Sequence, residues 1–153
     1  IIDGPEAEKT ALIRRTCNML VAGANLRVPV FTIIVRKFYG LGMIAMMGGA
    51  FKAPIFTVAW PTGEYGAMGL EGAVRLAYKK EFEAIADPAE RQALYEQRVE
   101  QMYQQGKALQ KASSYDFDDV IDPAESRKWI MHALHSGEAL DVEPGAHPFV
   151  HTW

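Results

Sequence analysis

The stretch Val28-Pro29-Val30-Phe31-Thr32-Ile33-Ile34-Val35-Arg36-Lys37-Phe38-Tyr39-Gly40-Leu41-Gly42 decides how this 153-residue chain is read. From Val30 to Val35 the residues are β-branched or apolar with no polar face, the pattern of a strand covered on both sides. Arg36 to Gly42 is a glycine-rich bend, and the small residues that follow predict a short helix to about Gly48. A second apolar run, Ile55 to Trp60, predicts another buried strand, which Pro61-Thr62-Gly63 stops. Strand, bend, helix and strand in succession place the chain in the α/β class.

Outward from this centre the pattern is helical. Pro5 to about Ala24 predicts one amphipathic helix, with Leu12, Thr16, Met19 and Gly23 on one stripe and Ile13, Cys17 and Leu20 beside it. Downstream, Asp87-Pro88-Ala89-Glu90 and Asp122-Pro123-Ala124-Glu125 repeat one start signal: an Asp cap, proline at the first helical position, and Glu two residues on. The first helix carries Tyr95, Val99 and Met102 on one stripe. The second carries Ile130 and Leu134, with Trp129 and Ala133 adjacent. Asp119-Val120-Ile121 is a short strand candidate between them. Residues 136–153, with Pro144, Gly145 and Pro148, are expected to form an irregular tail. Glycines 63, 66, 69 and 72 are expected to mark turns and close backbone packing.

Composition excludes several function classes. A net charge of -3 gives no general electrostatic footprint for nucleic acid or an anionic membrane. The apolar stretch from Val28 to Ala59 is broken by Pro29, Arg36, Lys37, Lys52 and Pro54 and cannot form a spanning helix. With no secretory signal, the expected location is cytoplasmic. One cysteine, Cys17, cannot form an internal disulfide and is expected to be an inert core residue. The opening Ile1-Ile2-Asp3-Gly4-Pro5 has the look of a chain cut from something longer.

Gly40-Leu41-Gly42-Met43-Ile44-Ala45 matches a dinucleotide fingerprint formally. Three features oppose that use: Arg36 to Tyr39 separate the strand from the first glycine, the helix is about half the crossover length, and the second strand ends in Trp-Pro rather than an acid. The same turn can serve as an oxyanion hole, because consecutive backbone N–H groups entering a helix converge on one developing negative charge. Glycines that only let a strand turn into a packed helix explain the pattern equally. Lys37 can attract an anionic substrate or simply be solvated. Glu64 and Glu71 can be bases, or surface and capping groups. His132 and His135 lie one helical turn apart without an acidic or thiol partner motif, and His147 and His151 fall in the tail, so no metal site is expected.

Three motifs in order and spacing carry a resemblance. The opening stretch is similar to the pattern VPxxTxxxRKAYGGAY. Ala59-Trp60-Pro61-Thr62-Gly63-Glu64 is similar to AWPTAE, and Met68-Gly69-Leu70-Glu71-Gly72-Ala73-Val74 to MGxxGAV. Asp118-Asp119-Val120-Ile121-Asp122-Pro123-Ala124-Glu125-Ser126-Arg127 resembles VDDVIxPxxTR. Together they resemble the carboxyltransferase (β) subunit of biotin-dependent acyl-CoA carboxylases over roughly residues 1–135. The resemblance implies a partial crotonase-like ββα superhelix with C-terminal helices, formed by the C-terminal part of the second of two such domains.

It further implies transfer of a carboxyl group from carboxybiotin to an acyl-CoA, at a site between the N-domain of one subunit and the C-domain of another. By position, the amides of Leu41 and Gly42 become the oxyanion hole on the biotin side, with Gly40, Ile44 and Lys37 as substrate-binding positions. Leu41 replaces a family glycine, which is tolerable where its φ is negative. Ile44 stands where the family often has Asp, beside Met43 and Met46, which implies a larger or less polar acyl group. The implied partners are an acyl-CoA, a biotin carboxyl carrier with its biotin carboxylase subunit, and further copies in a homo-oligomer; no metal is implied. The fragment is expected to be inactive alone. Two rivals are a decarboxylase subunit running the transfer in reverse, and a non-catalytic assembly module burying Trp129, Trp153 and the tyrosine-bearing helices against another subunit.

Overall fold

The computed structural model describes residues 5–50, 53–114 and 117–136. The expected N-terminal helix is two helices, α1 (Pro5–Lys9) and α2 (Leu12–Ala24). Between them Ala11 takes a left-handed conformation with φ 55, and the Thr10 hydroxyl donates to Ala7 O at 2.8 Å, closing the chain on itself where the helix would have continued. On α2 the buried side chains are Thr16 and Leu20, four residues apart. Cys17, one residue round from that line, is exposed rather than in the core, and Met19 is 44% exposed.

Two consecutive strand-strand-helix units follow. The first is β1 (Phe31–Ile34), β2 (Lys37–Tyr39) and α3 (Gly40–Met46); the second is β3 (Phe56–Ala59), β4 (Glu64–Gly66) and α4 (Leu70–Ala77). They stack strand on strand in parallel. Phe31 to Ile34 run beside Phe56 to Ala59 in one sheet, and Lys37 to Tyr39 beside Glu64 to Gly66 in another. The stretch expected as a bend after β1 is therefore itself a strand, and part of the run of spaced glycines is another. This is the ββα superhelical repeat expected from the resemblance.

The corner at which each unit passes from one sheet to the next is stitched to its neighbour. Trp60 N–H donates to Ile34 O (2.9 Å), the Thr62 hydroxyl to Val35 O (2.6 Å) and Glu64 N–H to Arg36 O (2.6 Å). The residues of the AWPTGE run thus hold the residues that lead into the first bend, which gives that motif a structural reason.

Beyond α4 come α5 (Lys79–Ala84), the long α6 (Pro88–Gly106) and α7 (Ala108–Ala112), then β5 (Asp119–Val120), a 3-10 turn (Pro123–Glu125) and α8 (Ser126–Ser136). Both Asp-Pro signals open helical turns as expected: Asp87 accepts from Ala89 N–H and Asp122 from Ala124 N–H. α6 packs on its own domain, against α4, α5 and β4. Its Tyr95 meets the edge of Phe82, and Arg98 lies over Tyr78 while pairing with Glu81 at 3.2 Å. β5 joins the first sheet beside β3, in the order β1-β3-β5, and Asp118 fastens it, exchanging bonds with Thr57 N–H (2.7 Å) and Thr57 O (2.8 Å).

The sheet is covered on both faces. Ile34, Ala59 and Val120 pack with Phe117 and α7's Ala108 and Ala112; Phe56, Val58 and Ile121 pack with α8's Trp129, Ile130 and Ala133. The central strand β3 is buried throughout, whereas β1, at the edge, buries only Ile34 fully. The expectation of full burial holds for the strand with two neighbours and fails for the strand with one. Leu134, expected on the packed stripe of α8, is 48% exposed because the face toward the sheet runs through Trp129, Ile130 and Ala133. The expectations for Ile1 to Gly4, the tail after Ser136, His147, His151 and Trp153 lie outside the described residues.

Candidate functional site

The parallel register of β2 and β4 builds the site. Side chains alternate across a strand, so Lys37 and Tyr39 share a face with Glu64 and Gly66 opposite them. Tyr39 is extended, with φ -130 and ψ 139, and the next residue begins α3. The turn is made at Gly40, whose φ is +59. A Cβ there would require a left-handed conformation and would lie 3.1 Å from Ala67 O.

Leu41 and Gly42 come next, inside the first turn of α3. Ala11 is the one non-glycine with positive φ among the described residues, so Leu41 sits at negative φ without strain. The glycine the turn requires is Gly40, and the leucine in place of a family glycine is accommodated. First-turn N–H groups have no acceptor within their helix. Among the described residues no other backbone carbonyl takes those of Leu41 and Gly42, α3 has no side-chain cap, and its first turn carries no acidic residue.

A cleft of about 750 Å³ runs between β1 and this turn, lined by Arg36, Lys37, Tyr39, Gly42, Met43 and Met46 on one side. Of the residues singled out from the sequence, the cleft brings together Lys37, which is exposed, and Gly42. Gly40, Leu41 and Ile44 are half-buried beside it and are not in its lining. A second cleft, of about 570 Å³, lies between β3, β5 and α8 and includes His132 and Trp129. His135 is not in its lining, and no group of three or more His, Cys, Asp or Glu side chains that could hold a metal gathers among the described residues. The dinucleotide reading gains a strand running directly into Gly40, contrary to the expectation of an intervening bend. It fails still on the seven-residue length of α3 and on the absence of an acid at the end of β3.

Glu64 and Glu71 have partners that sequence reasoning missed. The Tyr39 hydroxyl donates to Glu64 Oε2 at 3.0 Å, and the Tyr103 hydroxyl, from α6, donates to Glu71 Oε1 at 2.7 Å. Burial, reinforced by the Glu64 carboxylate, raises the Tyr39 pKa well above the usual phenol value. Its bond to Glu71 pushes Tyr103 up to about 12. Both phenols therefore remain protonated donors at neutral pH. Glu71 is held below the usual carboxylate range by the Tyr103 hydroxyl first, then by its own backbone N–H and, more weakly, by Lys37. The first pair meets only through the register of β2 and β4, which the sequence did not reveal; Tyr103 had only its place beside Met102 on the half-buried stripe of α6.

The family model described as "Carboxyl transferase domain" matches residues 1–143. The chain belongs to the carboxyl transferase domain family. This carboxyl transferase domain is 36% identical over 134 residues to a putative propionyl-CoA carboxylase beta chain of Bacillus subtilis, covering 88% of this chain and 26% of that protein. It is 35% identical over 135 residues to the methylmalonyl-CoA carboxyltransferase 12S subunit of Propionibacterium freudenreichii, covering 87% and 25%. Among solved structures, a single-chain, multi-domain long-chain acyl-CoA carboxylase superposes with a TM-score of 0.75 at 56% identity, over 86% of this chain and 13% of that one. The chain thus spans about a quarter of the length of these curated relatives. The crotonase-like fold expected from the resemblance agrees with the paired ββα units and with this superposition.

No helix among the described residues is long and apolar enough to cross a membrane.

Proposed function

We propose that this chain is the biotin-side part of a cytoplasmic biotin-dependent acyl-CoA carboxyltransferase, with residues 1–135 belonging to the C-terminal part of its C-domain. The observation that carries this reading is the turn at Gly40, which leaves the Leu41 and Gly42 amides without a backbone acceptor among the described residues, in a carboxyl transferase domain. Two donors with no backbone acceptor among the described residues, and no carboxylate in the first turn beside them, suit an oxygen that gains negative charge.

Biotin, carried on a partner subunit, supplies the carboxyl group. Leu41 and Gly42 N–H would hold its ureido oxygen, and donors placed where negative charge develops would lower the barrier rather than merely bind. Lys37, at the cleft rim, draws anionic reactants toward the turn. Gly40 shapes the turn, and Ile44, half-buried outside the cleft lining, acts on the acyl side through its neighbours Met43 and Met46, which do line the cleft. The partners are an acyl-CoA, a biotin carrier with its carboxylase, and further copies of the subunit that complete the site.

The acyl group is long and apolar. Two features support this: Ile44 with its neighbours Met43 and Met46, and the higher identity, 56%, to a long-chain acyl-CoA carboxylase than the 36% to a propionyl-CoA carboxylase chain. Each additional buried CH₂ is worth about 0.8 kcal/mol, so an apolar pocket discriminates chain length readily.

The test uses the complete subunit with its biotin carrier, the biotin carboxylase, bicarbonate and ATP. Carboxylation of long-chain acyl-CoA in preference to propionyl-CoA is expected, and Ile44→Asp should lower kcat/KM more for the long substrate than for the short one. Turnover only from malonyl-type thioesters to biotin would give the decarboxylase reading instead. Partner binding with neither CoA binding nor biotin turnover would give the assembly module.

A further inference from the structure

We propose that Tyr39 and Glu64 are positioning residues: their hydrogen bond holds the backbone at the Gly40 turn and so aims the Leu41 and Gly42 amides. This rests on the carboxyltransferase reading above and extends it to two side chains to which the resemblance assigns no role.

The geometry is that of a brace. Tyr39 is at once the last residue of β2 and the residue before Gly40, so its backbone sets the direction from which α3 departs. No side chain caps α3, and the Tyr39–Glu64 bond reaches the turn from the strand side. The Tyr39 ring lies across Gly66 on β4, where a Cβ would stand 3.1 Å from two of its carbons. That glycine clears the path by which the hydroxyl reaches back to Glu64 Oε2.

The far end of the brace is itself anchored. Glu64 N–H donates to Arg36 O at 2.6 Å, Glu64 forms an antiparallel bridge with Lys107, and Ala108 N–H donates to Gly63 O at 2.9 Å. The backbone that carries this carboxylate is therefore tied both to Arg36, just before β2, and to the junction of α6 and α7. Glu64 is half-buried and outside the cleft lining, which argues against a base acting on substrate. Packing alone requires the ring and not the hydroxyl. Tyr39→Phe therefore separates the two roles: it keeps the ring on Gly66 and removes the brace.

The experiment uses the complete subunit with its biotin carrier, biotin carboxylase, bicarbonate and ATP and compares Tyr39→Phe, Glu64→Ala, the double variant and Glu64→Gln. Tyr39→Phe and Glu64→Ala should each lower kcat about tenfold, with KM for acyl-CoA within about twofold of the parent. The double variant should be no worse than either single one, because the two groups act as a unit. Glu64→Gln, whose amide oxygen still accepts the hydroxyl, should recover most of the rate. Where Glu64→Ala fails to fold, Tyr39→Phe and Glu64→Gln carry the test. Full kcat in Tyr39→Phe, an effect on KM alone, or no recovery in Glu64→Gln would overturn the proposal. Gly42→Pro, measured in parallel, separates the two levels. Loss of activity in Gly42→Pro with Tyr39→Phe unaffected refutes the brace alone, whereas full activity in Gly42→Pro refutes the amide reading beneath it.

Discussion

The two ββα units use the same plan and end their second strands differently. In the first, β2 runs straight into α3 through Gly40 at φ +59, with no acid in the opening turn. In the second, Ala67-Met68-Gly69 separate β4 from α4, Gly69 keeps an ordinary φ of -53, and Glu71 occupies the first turn. Glu71 accepts from its own N–H and from Tyr103, so an acid of the chain already sits at that helix start. One fold thus offers a helix entry whose amides meet no backbone acceptor among the described residues and another that carries its own carboxylate. The repeat supplies the frame, and local chemistry at the turn decides which copy can serve an outside anion.

Substitutions at these turns should separate the two units, and the largest effect belongs to the first. Gly42→Pro in the complete subunit removes one N–H where proline is tolerated by a first helical turn, and should lower kcat by about 10²-fold or more while the fold persists. Gly40→Ala forces a left-handed alanine toward Ala67 O; it should cost about 1–2 kcal/mol in a denaturant titration and lower the rate about tenfold as the turn relaxes. Gly69→Ala is the matching change in the second unit. A Cβ there meets nothing within 4 Å, and stability should stay within about 0.5 kcal/mol with the rate unchanged. If the two glycines respond alike, the contrast between the turns is wrong.

The smallest effect tests the carboxylate of the second unit. Glu71 has a depressed pKa in the folded chain, so its contribution is complete above the ordinary value of 4.5 and is lost as pH falls through the folded value. Tyr103→Phe removes the main cause of that depression. The variant should be less stable than the parent near neutral pH, and the gap in urea midpoint should close as the solution is acidified. A gap that is constant with pH would mean the hydroxyl acts only by packing.

Much of this contrast was legible in the sequence, but unevenly. β1 and β3 stood out because an apolar run of β-branched residues fits little else, and both Asp-Pro starts stood out because cap and proline act within a few residues. β2 and β4 did not. A three-residue strand has no period to read, and Lys37 to Tyr39 is a strand only because Glu64 to Gly66 lies beside it. The same limit hid the brace: Tyr39 and Glu64 are 25 residues apart and meet through that register. The break at Ala11 and the exposure of Cys17 reflect a second limit. A stripe of apolar residues names a helix, while the neighbour it packs on decides which side of the stripe is buried. The backbone amides of Leu41 and Gly42 were reached through motif resemblance, since an N–H donor leaves no mark on residue type.

The most direct measurement is a structure of the complete subunit with biotin bound. The ureido oxygen is expected about 2.7–3.1 Å from both Leu41 N and Gly42 N, with Gly40 still left-handed. Biotin held elsewhere, or those two N–H groups turned onto carbonyls of the protein itself, would contradict the account.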